Sequence, residues 1–167
     1  MPLDFRTFFD YYKRERAKLF EEISKMSEED FTRNRELSFN SIKDVLVHTV
    51  MVEDNWLHYR AAGLGNETSK KFQDFKTLND VVAYAQEVDK KTELLFSRLK
   101  ETDLSKVVER TYPDGRKTSY LLGQVLYHVP IEIIHHYGEI FAEFWKINVD
   151  APYYSYLAFA KEKGFEG

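Results

Sequence analysis

The sequence contains no cysteine, which excludes disulfides, cysteine-ligated metal sites and thiol nucleophiles from this protein. It also lacks any stretch approaching the roughly 18 uncharged apolar residues that a membrane-spanning helix needs. Its first residues include no apolar core of signal-peptide length. We therefore expect a cytoplasmic protein that has no membrane partner.

An excess of charge of either sign is also missing. The chain has 24 Lys and Arg against 28 Asp and Glu, which gives a net charge of −4. Basic residues alternate with acidic ones along the chain, so no basic stripe forms and nucleic acid is a poor candidate partner. Hydrophobic residues make up 43% of the 167 residues, which is enough for a packed interior. Because no linker interrupts the chain, we expect one domain over residues 1–167.

Apolar residues recur at three- and four-residue steps in four long segments, which predicts four amphipathic helices. Ser41 and Thr77 are suitable N-terminal caps for the second and third helices, and Gly63 suits the C-terminal end of the second. Pro130 lies inside the fourth helix, where we expect a kink or bulge. The predicted helices cover approximately residues 3–25, 41–63, 77–100 and 119–147.

Residues 103–119 lack the helical pattern and contain the turn signal Pro113-Asp114-Gly115, which indicates a short β-hairpin or an extended excursion. A short final helix is expected at residues 153–163. The predicted fold class is all-α, namely a four-helix bundle with the hairpin or excursion between its third and fourth helices. The long connections after the second and third helices permit crossovers, so the order of the helices in the bundle stays open.

Three of the five histidines, His128, His135 and His136, fall within nine residues of the fourth predicted helix. At about 100° per residue, His128, Glu132 and His136 stack along one helix face, where residues four apart can reach the same ion. Imidazole and carboxylate groups are typical ligands of zinc, nickel, manganese or iron. One helix spreads three ligands too far apart, so we expect another ligand from the second helix, where His48 borders the apolar face.

Simpler interpretations of these residues stay open. A histidine on an apolar face is usually a hydrogen-bonded core residue, and His136 with Glu132 is compatible with a plain salt bridge. Glu53 either orients a ligand histidine or forms a buried ion pair with Arg14 or Arg16, and the sequence favours neither. Burying three histidines and two glutamates on one helix without a bound ion is costly, which favours the metal site.

Two motifs resemble the DinB/YfiT-like metalloenzyme superfamily. The first is SIKDVLVH at residues 41–48, followed by Glu53 and Trp56, and the second is HVPIEIIHHYGEI at residues 128–140. The resemblance follows the whole chain in order. It implies a four-helix bundle, a metal site with three ligands that are commonly histidines, and a homodimer.

The resemblance also implies where the ligands lie. One comes from the second helix and matches His48, and two come from the last helix and match positions 132 and 136. This sequence has Glu132 where the family usually has histidine, and glutamate can still serve as a ligand. His128, one turn earlier, is the fallback third ligand. His135 matches a family position that does not bind the metal.

The activities that the resemblance implies are transferases and isomerases that use bacillithiol, mycothiol or glutathione, and some hydrolases. Our leading hypothesis is a zinc or nickel enzyme, with manganese or iron as alternatives, that transfers a low-molecular-weight thiol to a small-molecule substrate. Glu53 or Glu139 is expected to assist the reaction by orienting the ligands rather than by binding the ion. Two alternatives stay open: a non-catalytic dimeric bundle that binds a metal or small ligand, and a metal-dependent hydrolase.

Overall fold

Helices dominate residues 4–164, the part of the chain that this computed structural model describes. The helices are α1 (Phe5–Ile23), α2 (Glu28–Thr32), α3 (Ile42–Glu53), α4 (Leu78–Arg98), α5 (Leu122–Lys146) and α6 (Tyr156–Glu162). A π-helical segment, Asp54–Arg60, continues α3 directly, and short 3₁₀ turns occupy Phe72–Asp74 and Glu101–Ser105. The antiparallel hairpin consists of β1 (Val107–Thr111) and β2 (Lys117–Leu121). The predicted start of the first helix at Leu3 and the two ends of the predicted domain 1–167 lie outside the described residues.

The four long helices α1, α3, α4 and α5 form a bundle. Helix α1 packs against α4 and α5, and α3 packs against the same two helices. Helices α1 and α3 therefore lie on one diagonal of the bundle, and α4 and α5 lie on the other. The connection from α1 to α3 and the connection from α4 to α5 each cross the bundle. The predicted four-helix bundle with a hairpin before its last helix is confirmed. None of the described helices is long and apolar enough to cross a bilayer.

Polar side chains begin the helices where the sequence predicts. The hydroxyl of Ser41 accepts a hydrogen bond from the amide of Asp44 at 3.1 Å, and the hydroxyl of Thr77 accepts one from the amide of Asp80 at 3.3 Å. Each bond satisfies an amide that has no partner within its helix. Gly63 follows the π-helical segment with a φ of +69°, a left-handed conformation that glycine adopts without strain.

The predicted start of the last bundle helix at Ser119 is wrong. Ser119 pairs with Glu109 in the hairpin, and the ladder continues to the pair Val107 and Leu121. Helix α5 begins only at Leu122, because strand pairing satisfies the backbone of the preceding residues. Pro130 lies within α5, and the helix continues on both sides of it.

A network of buried hydrogen bonds ties α1, α3 and α4 together inside the bundle. The carboxylate of Glu53 is fully buried and accepts hydrogen bonds from the hydroxyls of Tyr12 and Thr92. Because Thr92 donates its one hydroxyl proton to Glu53, the Nε2 of His58, 2.9 Å away, must donate to Thr92. Burial raises the pKa of Glu53 and lowers the pKa of His58 to about 4. The lowered pKa favours the neutral form of His58 at pH 7, and this form extends the network through its bond to Thr92.

Candidate metal centre

Packing of α3 against α5 brings His48, Glu132 and His136 together. One potential ligand atom of each residue lies within 4.8 Å of the other two. The imidazole rings of His48 and His136 have their centroids 4.6 Å apart and are nearly perpendicular. The structure thus gathers one imidazole from α3 and an imidazole and a carboxylate from α5, a set of two histidines and a glutamate that the sequence predicts.

The spacing of these three side chains fits a divalent ion. Ligand atoms around a tetrahedral ion with bonds of about 2.1 Å lie roughly 3.4 Å from one another. The Nε2 of His136 and the Oε1 of Glu132 are already 3.4 Å apart, and a ring nitrogen of His48 lies within 4.8 Å of a ligand atom of each. Exposed acidic clusters often bind nothing, but His136 is buried and His48 and Glu132 are half-buried. The group can therefore hold a metal ion.

Glu139 holds the ring of His136 in the orientation that a metal ligand needs. The Nδ1 of His136 lies 2.7 Å from the Oε1 of Glu139, which leaves Nε2 facing Glu132. Glu139 in turn accepts hydrogen bonds from the hydroxyl of Ser38 at 2.7 Å and from its amide at 3.2 Å. Although burial raises the pKa of Glu139, the bonds from Ser38 and His136 outweigh burial and lower it. A charged carboxylate behind a histidine fixes the ring tautomer and increases its basicity as a ligand.

His48 is kept neutral by its surroundings. Its ring stacks on Phe39 with the centroids 3.8 Å apart and 18° between the planes. Burial and the neighbouring His136 lower the pKa of His48 to about 4. Because a metal binds the neutral imidazole, His48 does not need to lose a proton at pH 7 before it can bind an ion.

The turn before α3 supplies both Phe39 and Ser38. Asn40 adopts a φ of +69° and bridges to Leu37, which closes a tight turn. The turn is fastened to α5 by Ser38 and by Arg35, whose guanidinium lies 3.1 Å from the carboxylate of Glu143. Sequence reasoning missed these residues. The only local signal is an asparagine, a residue that tolerates positive φ, directly before the Ser41 cap.

The sequence pattern of the DinB family matches residues 1–145. The chain belongs to the DinB family. A DinB-like protein from Bacillus cereus ATCC 10987, known from its crystal structure, is similar over 89% of this chain and 95% of its own, with a TM-score of 0.65. Its sequence is 16% identical, so the likeness shows a shared fold. A comparison with curated proteins gives no match.

Two further histidines of α5 in this DinB chain do not join the three-residue group. His128, the fallback ligand, is exposed on α5 and meets the ring of Trp56 edge-on at 5.5 Å. His135 is also exposed, with its ring 5.3 Å from that of His136. Neither belongs to the group whose ligand atoms converge.

Glu53 and Glu139, the two carboxylates predicted behind the ligands, have different surroundings. Glu139 contacts His136, whereas Glu53 binds hydroxyls of α1 and α4. Among the described residues, Glu53 forms no ion pair with Arg14 or Arg16, the two arginines that the sequence offers as partners. Arg14 instead pairs with Glu162, and Arg16 pairs with Asp89.

A cleft opens beside the three-residue group of this DinB chain. It has a volume of about 340 Å³, and His48 and Glu132 form part of its wall together with Phe39, Trp56 and His128. The π-helical segment places Trp56 there, and π-helical turns occur frequently at functional sites. An ion held by the three side chains would therefore face a space large enough for part of a small molecule.

Replacing Glu139 by alanine is expected to weaken zinc binding about 10- to 100-fold, the usual effect of removing a carboxylate that orients a ligand histidine. Zinc bound at saturation should stay at one ion per chain, because the three ligands remain. Competition with a chromophoric chelator measures the affinity. Glu143→Gln is the matched control, since Glu143 lies one turn farther along α5 and binds the same turn through Arg35. Equal zinc affinity in wild type and Glu139→Ala would contradict this role.

Proposed function

We propose that this DinB-family chain is a metal-dependent enzyme that transfers a low-molecular-weight thiol to an electrophilic small molecule. The observation that carries the proposal is the position of His48 and Glu132 in the wall of the cleft. Three protein ligands leave at least one coordination position free, which distinguishes a catalytic metal site from a structural one. Zinc or nickel suits two imidazoles and a carboxylate, and manganese or iron is the alternative.

His48, Glu132 and His136 would hold the divalent ion, and when bound the ion would lower the pKa of a coordinated thiol and make it a better nucleophile at neutral pH. In the transfer, a bond forms between the thiol sulfur and the electrophilic carbon, the bond from that carbon to the leaving group breaks, and the thiol proton passes to solvent. The chain's own contribution is to hold and orient the reactants. Glu139 keeps Nε2 of His136 facing Glu132, where the ion would be held, and the rings of Phe39 and Trp56 form the apolar part of the cleft wall.

The proposal is tested by thiol transfer to 1-chloro-2,4-dinitrobenzene, with glutathione and bacillithiol as separate thiol substrates. We expect the zinc- or nickel-loaded protein to exceed His48→Ala by at least about 100-fold, because stabilisation by a metal is worth several kcal/mol. His135→Ala is the matched control, since His135 is an exposed neighbour of the ligand His136. Its rate should equal that of the wild type.

Two results would contradict thiol transfer. One is a rate no higher than that of His48→Ala with both thiols. The other is hydrolysis of 4-nitrophenyl acetate, without any thiol, that depends on the metal and on His48 while thiol transfer does not. The second result would support the metal-dependent hydrolase instead.

A further inference from the structure

Two arginines converge on one aromatic ring in the wall of the cleft. The guanidinium carbon of Arg60 lies 4.4 Å from the ring centroid of Trp56, and that of Arg110 lies 5.8 Å from it. Arg60 ends the π-helical segment and Arg110 belongs to β1. Both side chains line the same cleft as His48 and Glu132. We call Arg60 and Arg110 the arginine pair.

The arginine pair has little compensating negative charge. Within residues 4–164, neither guanidinium has a carboxylate oxygen within 4.0 Å. Arg60 makes one long hydrogen bond, 3.4 Å, to the side chain of Asn66, and Arg110 also lies over the ring of Tyr112 at 4.5 Å. Glu67 lines the cleft and offsets part of the charge on Arg60. Partial burial, followed by the charge of Arg110, lowers the pKa of Arg60 to about 10.

Two half-buried cations held this close repel each other, so the folded chain places positive charge where an anion would relieve the repulsion. Planar guanidinium groups bind carboxylates and phosphates through paired hydrogen bonds. Packing on Trp56 fixes the position of both groups before any ligand arrives. A second cavity of about 280 Å³ shares Trp56, Arg110 and His128 with the cleft and adds Gln124 as a further hydrogen-bond donor.

We infer that Arg60 and Arg110 bind an anionic group, carboxylate or phosphate, of the small molecule that enters the cleft beside the metal-binding residues. The inference rests on the proposed function because it names the residues that bind the charged end of the same substrate or thiol. Anion binding itself needs no metal, since the arginine pair is separate from the three ligand residues. The pair therefore selects anionic reactants and positions their reactive end towards His48 and Glu132.

Calorimetry on the metal-free protein tests the inference, because an anion cannot then bind through the ion. The probes are inorganic phosphate and succinate, each titrated into wild type, Arg60→Gln, Arg110→Gln and Arg116→Gln. Arg116 is the matched control: it also lies over Tyr112, but it pairs with Asp114 in the exposed hairpin turn. We expect saturable binding to wild type and Arg116→Gln, and binding about 10- to 100-fold weaker in each variant of the arginine pair.

Binding of phosphate alone or of succinate alone would support the inference and identify the class of anion. The inference would be overturned if wild type bound neither probe, or if Arg60→Gln and Arg110→Gln, with thermal unfolding like that of wild type, bound as tightly as wild type. Failure of the proposed enzyme activity gives a different result, because anion binding by the metal-free protein would persist while zinc-dependent thiol transfer is absent.

Discussion

Replacing His136 by alanine is expected to weaken zinc binding by about 100-fold or more. Structural sites with four ligands bind zinc with about 10–16 kcal/mol, which is roughly 3 kcal/mol per ligand or about two powers of ten in affinity. Within the three-residue group, His136 contacts Glu132 and also contacts Glu139, so its loss leaves both carboxylates without their histidine. Zinc content after gel filtration and affinity by chelator competition measure the effect.

His135→Ala supplies the comparison for this prediction, because the two histidines are adjacent and only His136 belongs to the converging group. The control should bind zinc like the wild type. If the two variants bound zinc with equal affinity, the assignment of His136 as a ligand would be wrong.

Replacing Glu53 by alanine is expected to lower the free energy of unfolding by about 3–5 kcal/mol. The change leaves the hydroxyls of Tyr12 and Thr92 without their buried acceptor, at about 1–3 kcal/mol each, and opens a cavity. For a chain of this length the melting temperature should fall by roughly 10 °C. Thermal and urea unfolding followed by circular dichroism measure it.

Glu53→Gln is the conservative comparison for this variant, since its amide keeps a hydrogen-bonding group between the same two hydroxyls and fills the same space. It should lose less stability than Glu53→Ala. At a temperature where Glu53→Ala is folded, the Glu53→Ala variant should still bind one zinc ion per chain. Loss of the metal under those conditions would show that Glu53 orients a ligand histidine, contrary to its contacts in the structure.

Local patterns in the sequence account for the helices and for the three residues that could hold a metal ion. The caps Ser41 and Thr77 act within their own first turns, so nearest-neighbour chemistry is enough to predict them. The four-residue step between Glu132 and His136 places both on one face of α5, whatever the rest of the fold does. His48 could be predicted as a ligand because its position at the edge of an apolar face directs it towards the bundle interior.

Contacts between distant parts of the chain account for what the sequence could not predict. Ser38 reaches Glu139 across 101 residues, and nothing in the spacing of either indicates the other. Arg60 and Arg110 meet at Trp56 only because the π-helical segment and the hairpin come together. A charge pattern read along the chain detects neighbours in sequence, whereas these groups become neighbours only after folding.

Anomalous diffraction at the zinc edge, from crystals grown with zinc, tests the central claim most directly. We predict one strong peak per chain, about 2.0–2.2 Å from a ring nitrogen of His48, a ring nitrogen of His136 and a carboxylate oxygen of Glu132. Zinc bound instead by His128 or His135, or no peak between α3 and α5, would contradict the account.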